Sequence, residues 1–222
     1  MLVILLTDIF KQTWGSGVNN RAYKVILVSG HDYRCPGAKA GKFIEHFEVK
    51  KINALVESAL PENIRLLHLT SDIVNIKKNC QSESLKWKVK IINKLKPDFA
   101  IETHLNSYFD PEVDGCETLY YPTKNNKELA TILQKALVSS ISNKDRGVKP
   151  RKDLYFLKRT KCPAFIIEPL FISSPKGQHI LRWFPSSIPE GLVARGIIEG
   201  ILALKNQLLL PFLMEGGSEV KE

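Results

Sequence analysis

Cysteine is scarce in this chain of 222 residues, and the four that occur form no CxxC pair. Cys35, Cys80, Cys116 and Cys162 are too scattered for a thiolate zinc cage and too few for a disulfide scaffold. They read as buried or idle thiols, with room for at most one bridge. No apolar run is long enough to span a bilayer. The first residues, MLVILLTDIFKQ, lack a basic lead and are broken by Thr7 and Asp8, so they make neither a signal peptide nor a membrane anchor. No repeat or low-complexity block is visible. Acidic side chains are in deficit: 23 Asp and Glu face 32 Lys and Arg, for a formal charge of +9. That balance favours a polyanionic partner such as nucleic acid, an anionic membrane or an anionic cell wall. Nucleic acid is the weakest of these, because no basic cluster is interleaved with stacking aromatics.

What is present is ordinary for a globular chain: 44% apolar and 25% charged residues, in a length that suits one domain with short appendages. Lys24 to Ser29 is a nearly unbroken apolar run, as expected of a strand buried on both faces. Ile44, Phe47, Ile52, Leu55, Val56 and Leu60 form a helical stripe that Pro61 ends. Further strands are expected at Ile64 to Leu69, Phe99 to His104, Cys116 to Tyr121 and Ala164 to Glu168. Further helices are expected from about Glu83 to Leu95, from Leu129 to Ile141 and from Leu192 to Leu204. Strands alternating with helices predict an α/β layer structure with a largely parallel sheet.

Three apolar runs finish on a polar side chain. VILVSGH ends at His31, DFAIETH at His104 and AFIIE at Glu168. The carboxyl ends of strands are where open α/β sheets bind ligands. Glu45 opens the helix that follows the first loop and so returns to the same edge. Two histidines and one carboxylate are a common catalytic zinc set, with a fourth position left for water. A second carboxylate then serves as general base and acid. The competing reading makes Glu45 a helix-start charge that stabilises the macrodipole. His68 and His179 read as structural, and His46 as a surface or supporting residue beside Glu45. Cys35, four positions after His31, is a weaker alternative ligand.

The wording of these segments carries more than their spacing. SGH…PGAKAG…IEHFEV resembles the first metal motif of the zinc-dependent N-acetylmuramoyl-L-alanine amidases of amidase family 3, the type found in bacterial autolysins and phage endolysins. AIETHLNS resembles that family's second motif, and DGCETLYYP the strand after it. RGVKPRKDLYFLKRTKCPAFIIEPLFIS is similar to its last block, in which an Arg-Gly pair, a Leu-rich strand and a Pro-led strand precede the catalytic glutamate. The blocks occur in the family's order and span roughly residues 24 to 205.

The resemblance implies an α/β fold of the phosphorylase/hydrolase-like kind, with a mixed, mainly parallel six-stranded sheet flanked by helices. It implies Zn2+ held by His31, Glu45 and His104, with Glu168 as the catalytic carboxylate. The substrate would be peptidoglycan, cut at the amide between N-acetylmuramic acid and L-alanine. Residues 23–206 would form the catalytic domain, 1–22 an extension of unknown role and 207–222 a tail. Glu102 would orient a ligand or make a simple ionic contact, and Asn106 would fix a turn or hold substrate. Arg146 would pair with a stem-peptide carboxylate or stay solvated. No second wall-binding module is visible, so the basic surface is expected to supply attraction to anionic wall polymers. With no signal peptide and no membrane insertion, release through a phage-type pore or by lysis is expected. The alternatives are a non-catalytic peptidoglycan-binding module of the same fold and a zinc carboxypeptidase-like hydrolase of another peptide.

Overall fold

The computed structural model describes residues 22–72, 80–123, 125–182 and 191–215. The reading of the first 21 residues as a strand and loop falls outside them. Seven residues of near-continuous apolar character form β1, Tyr23–Ser29, the strand next to one edge of the sheet. A short hairpin, β2 (Lys39–Ala40) and β3 (Phe43–Ile44), leads into α1, Glu45–Ala59. Next come β4 (Ile64–Leu69), α2 (Cys80–Leu95), β5 (Phe99–Thr103), β6 (Cys116–Tyr120) and α3 (Asn126–Ile141). The chain continues through β7 (Asp145–Pro150), α4 (Tyr155–Arg159), β8 (Ala164–Glu168), α5 (Pro175–Arg182) and α6 (Leu192–Glu215). Six strands build one sheet in the order β4-β1-β5-β8-β6-β7. All neighbours are parallel except β6 and β8, so the expected mixed, mainly parallel sheet is what forms.

Strand alternation divides the apolar residues between two faces. Val25, Leu27, Phe99, Ile101, Phe165 and Ile167 meet the apolar stripes of α1, α3 and α6 on one face. Ile26, Val28, Ala100 and Ile166 meet α2 and α4 on the other. Connectivity then locates the crevice. The chain leaves β1 outward to β4 and returns across β1 to β5. The carboxyl ends of β1 and β5 therefore flank the point where strand order reverses, the place where open α/β sheets take ligands.

Several elements differ from expectation. The Leu-rich strand implied by DLYFLKRT is the helix α4, which buries the adjacent residues Phe156 and Leu157 against the second face. Neighbouring residues in a strand would point to opposite sides. The sheet position comes instead from Asp145–Pro150, which pairs with β6 at the edge. α2 begins at Cys80 rather than Glu83, and α6 runs to Glu215, across the boundary expected for the tail. Cys35 is disulfide-bonded and so is no idle thiol, whereas Cys116 and Cys162 are free. No helix among the described residues is long and apolar enough to cross a membrane.

Candidate metal centre at the strand ends

Asp32 shapes the loop that follows His31. Its buried carboxylate accepts hydrogen bonds from the backbone N–H of Arg34 at 3.0 Å and Cys35 at 3.2 Å. It also accepts from Arg34 Nη2 at 2.9 Å and Ser71 Oγ at 2.8 Å. Burial alone would raise its pKa, but these four donors hold it well below the usual carboxylate range. The result is a tight turn that sets the Cys35 carbonyl 3.0 Å from His31 Nδ1. A carbonyl only accepts, so Nδ1 is the donor there, and Nε2 is the ring nitrogen turned toward Glu45.

Glu45 enters from the first turn of α1. Its Oε2 accepts from the Ala38 N–H at 2.9 Å and its Oε1 from the Leu105 N–H at 3.0 Å. The same oxygens face His31 Nε2 at 3.3 Å and His104 Nδ1 at 3.0 Å. Burial opposes the charge on Glu45, yet the two imidazoles outweigh it and the carboxyl stays ionised far below its ordinary value. One donor atom each from His31, Glu45 and His104 lies within 4.8 Å of the others. The three expected ligands thus converge, although 59 positions separate Glu45 from His104.

Two glycines make room for this grouping. A Cβ on Gly30 would lie 2.2 Å from the His104 ring. A Cβ on Gly37, whose φ is +75°, would lie 2.3 Å from Glu45 Oε2. Only glycine fits where backbone passes this close to the candidate ligand side chains.

Glu102 and His104 project to the same side, and Glu102 Oε2 lies 3.6 Å from His104 Nε2. Both histidines therefore have the ring nitrogen remote from the cluster facing a fixed oxygen. This is the arrangement that orients imidazoles on metals. Burial opposes charge on His104, but Glu102 and Glu45 raise its pKa well above the usual value. These donors fit a divalent ion: two imidazoles and one carboxylate suit zinc and leave its further positions open.

Glu168 ends β8 on the same side of the sheet. Its Oε2 is buried and has no hydrogen-bond partner among the described residues. Burial, reinforced by repulsion from Glu45, Glu117 and Glu102 and opposed by His104, pushes its pKa up to about 8. A carboxyl so placed exchanges a proton near neutrality.

The remaining expected residues take supporting positions. Arg146 is half-buried and paired: its Nε donates to Glu117 Oε2 at 2.7 Å and its guanidinium lies 5.0 Å from the Phe171 ring centre. Lys149 Nζ joins the same carboxylate at 2.6 Å. Asn106 secures a loop by capping the Ser107 N–H at 2.9 Å, while its backbone bonds to Leu170 and Ile172. His46 is buried rather than on the surface, and its Nδ1 donates to the His31 carbonyl at 3.2 Å. His68 is structural as expected, with Nε2 2.9 Å from Ser29 Oγ. Asp32 and Glu117 were not anticipated. The run HDYRC carries a recognisable Asx-turn signal for the first, and Glu117 is marked by the run DGCETLYYP, whose Glu is part of the family resemblance.

A family model described as N-acetylmuramoyl-L-alanine amidase matches residues 25–203. An uncharacterized 38.4 kDa protein of Clostridium perfringens is 29% identical over 191 residues, which is 80% of this chain and 52% of that protein. N-acetylmuramoyl-L-alanine amidase LytC of Bacillus subtilis is 27% identical over 123 residues, 54% of this chain and 24% of LytC. The chain thus spans about half, or less, of the length of these curated relatives. Among solved structures, an N-acetylmuramoyl-L-alanine amidase from Clostridium difficile 630 has a TM-score of 0.73 at 24% identity, covering 85% of this chain and 98% of that one. The catalytic domain of CD27L, an endolysin targeting Clostridia difficile, has a TM-score of 0.64 at 25% identity, covering 81% and 97%. The matched segment takes in most of β1, both histidine-bearing strand ends and Glu168, and the chain belongs to the N-acetylmuramoyl-L-alanine amidase family.

Proposed function

We propose that this protein hydrolyses peptidoglycan at the amide joining the lactyl group of N-acetylmuramic acid to L-alanine of the stem peptide, with zinc as cofactor. The observation that carries the reading is the convergence of His31, Glu45 and His104 within 4.8 Å, on the sheet edge where β8 delivers Glu168, in a chain of this family. His31, Glu45 and His104 would hold the ion. Bound there, zinc supplies Lewis acidity, which polarises an amide carbonyl and lowers the pKa of water to about 7.

Glu168 does the proton work. Its desolvated Oε2 accepts a proton from the attacking water and returns it to the departing alanine nitrogen, which leaves as a neutral amine. Glu102 and the Cys35 carbonyl keep the two imidazoles from turning. The excess of basic side chains draws the protein to anionic wall polymers. That attraction predicts wall binding that weakens as ionic strength rises, because salt screens exposed charges.

The test is digestion of purified peptidoglycan by wild type and by Glu168→Ala. Wild type is expected to release new N-terminal alanine, and a chelator to abolish the release. The variant is expected to keep its metal and lose turnover. Equal alanine release by both proteins rejects the role of Glu168. A different new amine rejects the scissile bond, and binding without any cleavage by wild type leaves only a wall-binding module.

A further inference from the structure

The proton chemistry above makes no use of the most deeply buried cation among the described residues. Lys88 lies on α2 with a relative exposure of 1%. An ammonium taken out of water is costly unless its donors are satisfied, and here three groups meet it. Its Nζ donates to the carbonyls of Ser29 at 2.5 Å and Gly30 at 2.7 Å, the two residues immediately before His31. It also lies 3.8 Å from Oε1 of Glu102, whose other oxygen faces His104. That Oε1 is buried and has no hydrogen-bond partner among the described residues, so Lys88 is its nearest charge balance.

The consequence is geometric. The carbonyls of Ser29 and Gly30 belong to the peptide units that aim the backbone into His31. Gly30 also presses on the His104 ring, leaving no room there for a Cβ. Glu102 Oε2 faces Nε2 of the same ring at 3.6 Å. One ammonium therefore touches the support of both histidines, on two strands whose residues are over 70 positions apart (Gly30 and His104). A helix residue that merely filled a cavity would need neither the charge nor this set of acceptors.

We propose that Lys88 is a positioning residue for the metal centre, tying the end of β1 to the Glu102 carboxylate so that His31 and His104 are held in one frame. The inference rests on the zinc reading above. Removing the ammonium leaves two carbonyls short of a donor and Oε1 of Glu102 without its neighbouring charge. The carboxylate then turns away from His104, and the ligand set loses its order. Partners that orient metal ligands are typically worth about 10- to 100-fold in metal affinity.

The experiment titrates metal-stripped protein with Zn2+ against a competing chelator, and with Co2+ while recording its visible absorption. Wild type, Lys88→Met, Lys88→Arg and the double variant Lys88→Met with Glu102→Gln are compared at a temperature where circular dichroism shows each one folded. Lys88→Met is expected to weaken Zn2+ binding by about 10- to 100-fold and to alter the Co2+ band. Lys88→Arg, which keeps the charge and the donors, is expected to restore most of both. Should Lys88→Met not fold, the double variant removes the unpaired carboxylate along with the lysine, and the same loss of affinity is expected of it. A folded variant without the lysine that binds Zn2+ and colours Co2+ as wild type does would overturn the proposal and leave Lys88 a fold-stabilising residue only. Wild type that takes up no ion would overturn the zinc reading itself, and this inference with it.

Discussion

The two faces of the sheet are built from the same strands but do different work. The first is closed by the apolar stripes of α1, α3 and α6, and contributes Leu133, Leu137, Ile197 and Ile201, none of which is exposed. The second is covered by α2 and the single turn or so of α4. Toward its rim the second face departs from apolar content. Glu102, Glu117 and Glu168 all project from it, and Lys88 is buried beneath it. The first face behaves as a store of stability. The second uses some of that stability to keep charged groups out of water, where their proton affinities shift. Glu45 joins the two, since α1 packs on the first face while its opening residue reaches over the strand ends.

The sharpest way to break this contrast is Glu168→Gln. Turnover of peptidoglycan is expected to fall about 10²- to 10⁴-fold, the usual worth of a general acid–base group. Melting temperature should hold or rise, because a carboxyl held up to about 8 by burial is a destabilising one when ionised. Thermal melts beside rate measurements check both halves. Leu133→Ala tests the opposite face. Removing this wholly buried side chain is expected to cost about 2–5 kcal/mol of stability. Zn2+ affinity per folded molecule, read by chelator competition, should not move. Loss of affinity there would dissolve the division between the faces.

Gly37→Ala probes the junction. Its added methyl would meet Glu45 Oε2 and the His31 ring at a backbone φ of +75°. Metal affinity should drop by at least about tenfold, on the scale of losses from disturbed ligand support. The smallest effect is a pH slope. Burial, aided by the nearby Lys50 charge, lowers the pKa of His68 from 6.5 to about 4. Neutral His68 therefore contributes stability that is complete above pH 6.5 and is lost as pH falls toward 4. Denaturant unfolding across that window should show stability declining with acid, less steeply in His68→Asn.

Much of this was legible in the sequence, and for a local reason. β1, β4 and β8 were readable because alternation and apolar runs are properties of consecutive residues. His31, His104 and Glu168 stood out as polar side chains ending apolar strands, and Glu45 as the acid opening the next helix. What escaped notice depended on distant neighbours. DLYFLKRT has enough Leu and Phe for a strand, but the positions beside β8 are taken by β5 and β6, so it coils against the second face. Lys88 lies one turn from Leu85 and from Ile92, on the buried side of α2. Nothing local in the sequence separates it from the other lysines of that helix. The partner of Arg146 stayed open between a stem-peptide carboxylate and solvent because Glu117 is 29 residues away. Cys35 looked idle because a disulfide is a statement about two positions.

The sequence by itself determined most of the strands and helices, DLYFLKRT apart, and which polar groups would stand at the strand ends. Those outcomes follow from backbone sterics and side-chain periodicity within a few residues. Only the tertiary structure decided which of those groups share a space. Lys88 meets a carbonyl 58 residues away, and Asp32 a hydroxyl 39 residues away. Whether a carboxylate is a solvated charge, a ligand or a proton carrier depends on the water and counter-charges removed from around it. Packing alone sets that removal.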